Sequence, residues 1–167
     1  MIKTSRLVLK AYEPEDQESM VELLTNDEIK KTFMIPDFQS RADVIALFKR
    51  CLEFSVSGQH YERGIYLDKK LIGFINDVFI EGNSIELGYV IHPDFQNRGY
   101  ATEALSAAIG DLFQKGFSEI IAGAFENNTA SCRVMEKCKM TRTEREETIK
   151  YREQLYHCIY YSIKKPE

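Results

Sequence analysis

Several things are missing from this chain, and each absence removes a class of function. No apolar run approaches the roughly 20 residues that would cross a bilayer. The N-terminus, "MIKTSRLVLKAYEPED", alternates and then turns acidic, so it reads as neither a signal peptide nor a transit peptide. A cytoplasmic protein with no membrane partner is the expectation. Cys51, Cys132, Cys138 and Cys158 form no C-x-x-C pair and have no histidine at ligand spacing, so no metal is expected. Without a secretory signal these four thiols are expected to stay free. Basic residues are not in excess: 22 Lys and Arg against 26 Asp and Glu leave a net charge of −4. That balance argues against a phosphate-backbone binder, and no nucleic-acid partner is expected. Neither G-x-x-x-x-G-K-[ST] nor a G-x-G-x-x-G opening a β-α-β unit is present. With no repeat, low-complexity tract or Pro/Gly-rich linker, the 167 residues read as one domain, 1–167.

What is present is a globular composition, 44% hydrophobic and 29% charged. Residues 5–12 alternate Leu7, Leu9 and Ala11 against Arg6, Val8 and Lys10, a half-buried strand. Pro14 suits a first helical turn before the short stripe Met20, Val21, Leu23 and Leu24. Residues 25–39, broken by Asn26-Asp27 and Pro36, read as short helix and loop. Ser40 with Asp43 three residues on resembles a capping box ahead of Val44, Leu47, Phe48, Cys51 and Phe54. Three β-rich runs follow between short polar turns, which is an antiparallel meander. From 99 to 116 the period changes: Ala101, Ala104, Leu105, Ala108, Ile109, Leu112 and Phe113 keep helical spacing up to Gly116. "SEIIAGAF" is a buried strand, "NNTASCRVMEKC" a second helix, and the remainder a closing antiparallel pair. The β-α-β unit from 84 to 124 calls for a parallel pair inside an otherwise antiparallel sheet. The expected class is mixed α/β.

The junction "IHPDFQNRGYATEAL", residues 91–105, is where chemistry concentrates. The first turn of a helix carries amides with no partner inside the helix, and the macrodipole makes that end electropositive. In "QNRGYAT" the amides of Arg98, Gly99, Tyr100, Ala101 and Thr102 converge on one point, an anion cradle. Gly99 lets an anion approach the backbone, Ala101 keeps the next turn open, and Arg98 adds a fixed charge. A turn glycine and a solvated arginine would explain an isolated G-x-A equally well.

"ELGYVIHPDFQNRGYATEAL" resembles the acyl-CoA signature of the GNAT superfamily of N-acetyltransferases, Q/R-x-x-G-x-G/A, with Gln96, Gly99 and Ala101 in its three fixed places. "ENNTASCRVMEK" is similar to the family's N-x-x-S…E-K helix, and "TSRLVLKAYEPEDQESMVELL" to the opening of the branch that includes ribosomal-protein alanine acetyltransferases. The resemblance covers nearly the whole chain. It implies a GNAT fold: a central, mostly antiparallel sheet of about six to seven strands with one parallel, splayed pair and helices on both faces. It implies acetyl-CoA as co-substrate. Tyr89, Val90 and Ile91 would then hold the pantetheine arm through backbone hydrogen bonds, and Gln96, Asn97, Arg98, Gly99, Tyr100, Ala101 and Thr102 would form the pyrophosphate loop. Asn128 and Ser131 would face the distal pantetheine and the sulfur, although an asparagine there also suits a helix cap.

Acetyl transfer to an amine needs a neutral amine, a polarised thioester and a protonated leaving thiolate. An α-amine with a pKa near 7.7–8.0 costs only about 1 kcal/mol to deprotonate at neutral pH, whereas a lysine costs roughly 4–5. Glu86 is the candidate base, acting through water: Ser84, Glu86, Gly88 and Val90 share one face of a central strand, where a carboxylate is paired or functional. A structural ion pair is the plainer alternative. The general acid is less evident, because Met135 stands where many relatives carry a tyrosine; Ser131 is the candidate. That departure motivates a second reading, an acyl-CoA sensor without turnover. Lys139 replaces the usual glycine after this helix and must either adopt a left-handed backbone or end the helix differently. The acceptor amine (a protein N-terminus, a polyamine or another small amine) and any homodimer stay open at this level.

Overall fold

The computed structural model describes all residues 1–167 and joins every strand into one sheet. Strands β1 (Ile2–Lys3) and β2 (Val8–Lys10) lead through a 3-10 turn at Pro14–Asp16 into helices α1 (Gln17–Thr25), α2 (Asp27–Lys30) and α3 (Arg41–Val56). The meander is β3 (Glu62–Leu67), β4 (Lys70–Glu81) and β5 (Ser84–Ile91). Helix α4 (Tyr100–Gln114), β6 (Glu119–Phe125), α5 (Thr129–Lys137), β7 (Thr141–Tyr151) and β8 (Gln154–Lys164) complete the chain. The order across the sheet is β1-β2-β3-β4-β5-β6-β8-β7, and only β5 and β6 run parallel. Eight strands replace the expected six or seven; the addition is β1, two residues long and too short to show a period.

Local chemistry accounts for the boundaries. The Asn26 side chain accepts from the amides of Glu28 and Ile29 and starts α2. Ser40 accepts from the Asp43 amide at 3.3 Å and starts α3. Two hairpins turn on left-handed pairs without glycine, Asp68-Lys69 and Arg152-Glu153, the geometry whose twist matches the flanking strands. At the end of α5, Lys139 takes φ 63°, with its amide on Glu136 O and the Met140 amide on Met135 O. This is a complete Schellman turn built around a lysine, strained by about 1 kcal/mol relative to glycine.

The sheet is packed on both faces. On one, Ile85, Leu87 and Ile91 of β5 meet Leu105, Ala108 and Leu112 of α4 and Met135 of α5. On the other, Phe74 and Val90 meet Met20, Leu23, Val44 and Phe48 of α1 and α3. Outer strand β7 carries Arg142, Glu144, Arg145, Glu146 and Glu147, charges that discourage edge-to-edge pairing.

The feature that positions the site is a divergence of the parallel pair. Pairing of β5 with β6 runs from Ser84↔Glu119 to Leu87↔Ala122 and stops. Beyond it, Gly88–Ile91 pair only with β4, and Gly123–Phe125 only with β8. The two strands therefore splay, and the gap opens toward the start of α4.

Candidate active site

A cleft of about 620 Å³ fills this splay, walled by β5, the loop before α4, the start of α4, β6 and α5. Two glycines stand at its apex on one face of the sheet. A Cβ on Gly88 would lie 3.0 Å from the Phe33 ring, and one on Gly123 would lie 2.7 Å from the Tyr160 ring. Any side chain here would clash with those rings, so glycine at both positions lets Phe33 and Tyr160 pack directly against the backbone at the apex of the splay.

At the other end, the loop presents its backbone. Asn97 (φ 60°) and Gly99 (φ 83°) both adopt left-handed conformations, which turns successive N–H groups toward one concavity. No amide from Asn97 to Thr102 donates to another backbone group; the first one satisfied is that of Glu103, on Gly99 O at 3.0 Å. Asn97, Gly99, Tyr100, Ala101 and Thr102 line the cleft. Gln96 serves the loop in another way, since its Nε2 donates to Ile91 O at 2.9 Å and ties the loop to the end of β5. The Arg98 guanidinium lies 5.9 Å from the ring of Phe95, a residue of the cleft wall.

Arg6 braces the same loop; the sequence pattern puts it on a strand face, whereas the structure puts it in the bend between β1 and β2. Arg6 Nη1 donates to Arg98 O at 2.9 Å, Nε pairs with Glu103 at 2.7 Å, and the guanidinium lies 4.5 Å from the Tyr100 ring centroid. Nη2 is 3.2 Å from where a Gly99 Cβ would be. Burial opposes ionisation of Glu103, but hydrogen bonds from Thr4 and from the Arg6 amide and side chain outweigh it and hold the carboxyl below the usual range. The N-terminal segment is thus strapped across the loop by an arginine 92 residues away in sequence from the carbonyl it holds.

Along β5, the His92 amide bonds to Ile72 O on β4, so by the alternation of an antiparallel ladder Val90 also faces β4. Tyr89 and Ile91 direct their peptide groups into the splay, where Gln96 already occupies Ile91 O. Of the three residues expected to offer strand-like hydrogen bonds, Val90 turns its peptide group to β4, and its side chain is buried among α1 and α3.

Across the cleft, Asn128 caps α5 through Ser131 N at 3.2 Å, and the Tyr89 hydroxyl meets Ser131 Oγ at 2.7 Å. Burial raises the Tyr89 phenol well above its ordinary pKa, so it stays protonated throughout the physiological range. Met135, standing where many relatives carry a tyrosine, is fully buried in the core and faces away from the cleft.

Glu86 lies on the Gly88 face, as the alternation requires. Its carboxylate is paired with Arg145 at 2.8 Å, and its side chain is 11% exposed. Arg145 also lies 3.7 Å from the Tyr160 ring centroid and 3.4 Å from Glu147, whose carboxylate accepts from the Tyr160 hydroxyl. Glu86 is not part of the cleft wall itself. None of His60, His92 or His157 lines the cleft, and the four cysteines are free, with Cys132 and Cys138 outside it.

Comparison with known proteins decides the family. Residues 6–141 match the model of the acetyltransferase (GNAT) domain. The chain belongs to the GNAT acetyltransferase family. An uncharacterized N-acetyltransferase of Bacillus subtilis, YnaD, is 31% identical over 153 residues, covering 84% of this chain and 82% of its own. A GNAT-family acetyltransferase from Bacillus anthracis superposes with a TM-score of 0.82 at 28% identity, over 98% of this chain and 97% of its own. RimL, a ribosomal L7/L12 alpha-N-protein acetyltransferase solved with coenzyme A, shares the fold with a TM-score of 0.84 at 15% identity, over 96% and 95%. The mixed sheet with its parallel pair is the GNAT fold. No helix is long and apolar enough to cross a membrane.

Proposed function

We propose that this GNAT domain transfers the acetyl group of acetyl-CoA to a primary amine by direct attack. The observation that carries the reading is the run of unpaired amides from Asn97 to Thr102 at one end of a cleft whose other end is lined by Gly88 and Gly123. Unsatisfied N–H groups at a helix start favour an anion, and the diphosphate of coenzyme A needs several such donors at once. The peptide edge of Tyr89 and the Ile91 amide suit an extended amide-bearing arm, and the glycine-lined end of the cleft suits the thioester at its end. Asn128, besides capping α5, lines the same wall.

Acetyl-CoA supplies an activated acyl carbon and a thiolate leaving group. The amine loses one proton, its nitrogen forms the new bond to the acetyl carbon, the carbon–sulfur bond breaks, and the sulfur takes up a proton. Ser131 Oγ, hydrogen-bonded to the Tyr89 phenol, is the donor for that last proton, which gives the chain a phenol in spite of Met135. Glu86 is the proton acceptor, through water. Arg145 pairs with Glu86 in the resting state, and Glu147 and the Tyr160 ring also hold Arg145 and can retain it when substrate enters.

Incubation with acetyl-CoA and a panel of primary amines, with free thiol followed, tests the reading. Amine-dependent thiol release is expected, with kcat at least ~10²-fold lower in Glu86→Gln. Tight binding of coenzyme A with no thiol release on any amine would favour a sensor module instead.

A further inference from the structure

Behind the Phe33 ring lies a second chamber of about 150 Å³, between α1, α3, β3 and β4. Its wall is largely apolar, with Met20, Leu24, Phe33, Leu47 and Phe74 prominent. Phe33 borders both spaces, packed edge-on to Phe74 at 5.7 Å on one side and against Gly88 on the other. Two polar groups interrupt this wall, Glu62 and Asn76.

Strand register explains why they face the same place. Glu62 is opposite Asn76, and Asn76 is opposite Gly88, so all three point to one face across β3, β4 and β5. Asn76 Oδ1 is buried without a hydrogen-bond partner, 3.2 Å from where a Gly88 Cβ would be. Only Oε1 of Glu62 has a side-chain partner, the Tyr12 hydroxyl. No cation pairs with this carboxyl, in contrast to Glu86; Arg63, its neighbour in the chain, is turned to the carbonyls of Ser55 and Glu62. The other titratable groups around it are Cys51 on α3 and Asp77 on β4. An orphaned buried acceptor is costly, and two acceptors converging in an apolar chamber call for a ligand that brings N–H donors and apolar surface together.

We propose that this chamber binds the acceptor substrate, a primary amine carrying one compact apolar group, with Asn76 Oδ1 and Glu62 accepting its N–H donors beside Gly88. The inference rests on the acetyl-transfer reading and names the substrate class for it. A void of this volume takes a group the size of benzene. The amine held at Asn76 lies beside Gly88 at the end of the cleft, and its apolar group packs on Met20, Leu24 and Phe74. A long polyamine or a basic peptide has no such group to place there, and the apolar lining leaves its further charges unsolvated. Burial, only partly countered by the Tyr12 hydrogen bond, raises the Glu62 carboxyl to about 7, so it is partly protonated near neutrality. An arriving ammonium ion favours the carboxylate and drives that proton off.

Calorimetry with 2-phenylethylamine on the coenzyme A-loaded protein tests this directly, with spermidine and a lysine-rich peptide as competitors for the assignment. Phenylethylamine should bind at least tenfold more tightly than either, with proton release visible between buffers of different ionisation heat at pH 6.5. Asn76→Leu and Glu62→Gln, both nearly isosteric, should weaken it at least tenfold, and Glu62→Gln should abolish the proton release. Leu47→Trp should fill the chamber and remove binding, while coenzyme A affinity persists in every variant as evidence of folding. In turnover, Asn76→Leu should raise KM with little change in kcat, the reverse of Glu86→Gln. Tighter binding of spermidine or the peptide, or phenylethylamine affinity unmoved by Asn76→Leu and Leu47→Trp, would overturn the proposal. Failure of coenzyme A to bind is read separately, before amine is added, and counts against acetyl transfer; the amine titration on the unloaded protein still decides the chamber.

Discussion

Removing the Arg6 side chain should weaken coenzyme A binding about tenfold while leaving the fold nearly as stable. Arg6 makes three contacts with the loop and helix that carry the unpaired amides: the pair with Glu103, the bond to Arg98 O and the stacking on Tyr100. Its side chain is 44% exposed, so each contact is discounted for solvent. An exposed ion pair contributes roughly 0.2–1 kcal/mol and an exposed cation–π contact about 0.5–1. Together these reach about 1–2 kcal/mol, and 1.4 kcal/mol is a factor of ten in Kd. Arg6→Ala releases Asn97 and Gly99 from their left-handed geometry in the free protein, so the anion must reorder the loop on arrival. Isothermal calorimetry with coenzyme A at 50 mM salt should show the loss, Arg6→Lys should recover part of it, and the difference should shrink at 500 mM as screening grows. A chain of this size loses about 2–4 °C of Tm per kcal/mol, which sets the ceiling on the thermal effect. Unchanged affinity alongside a fall of many degrees would show that Arg6 supports the fold and not the loop.

The remaining expectations are shorter. Lys139→Gly should stabilise the protein by about 1 kcal/mol, because φ 63° suits glycine and the Schellman bonds persist; urea titration measures it. The Glu62 carboxyl is raised in the folded state from an ordinary value near 4.3 to about 7, so the folded chain binds the extra proton and stability falls as pH rises through that window. Over the full window this is of order 3–4 kcal/mol, and Glu62→Gln should flatten the decline in denaturation curves taken between pH 4.5 and 7.5. Tyr89→Phe with Ser131→Ala should lower kcat by ~10²-fold or more with coenzyme A affinity retained, the outcome that the proposed proton donation to the leaving sulfur requires. An intact rate in that double variant would remove the pair from the chemistry.

Local periodicity makes most of the architecture legible. The helical stripe from Ala101 to Phe113, the meander and the parallel crossover all follow from spacing that one strand or helix carries within itself. The amide cradle is legible for the same reason: a helix start lies in consecutive residues. What stays hidden lies in contacts between elements distant in sequence. Arg6 reaches Arg98 O from the bend between β1 and β2, and nothing in "TSRLVLK" marks that arginine from any other on a strand. The same holds for Asn76, whose meaning comes from being opposite both Glu62 and Gly88. Alternation puts Glu86 on the Gly88 face, yet its Arg145 partner depends on how β7 folds back, which sequence spacing does not reveal. Tyr89 reads in the sequence as backbone only; its hydroxyl finds Ser131 because α5 packs across the splay.

The central claim is that main-chain nitrogen atoms at the start of α4 hold a diphosphate. Calorimetric titration of coenzyme A into the wild-type protein and into Gly99→Val tests it most directly. The β-branched side chain must adopt φ near 83° and would push on Arg6, so the cradle cannot keep its shape. Binding to the wild type and at least a hundredfold loss in the variant, with its circular dichroism unchanged, is the predicted result. Equal heats for both proteins, or none for the wild type, would contradict it.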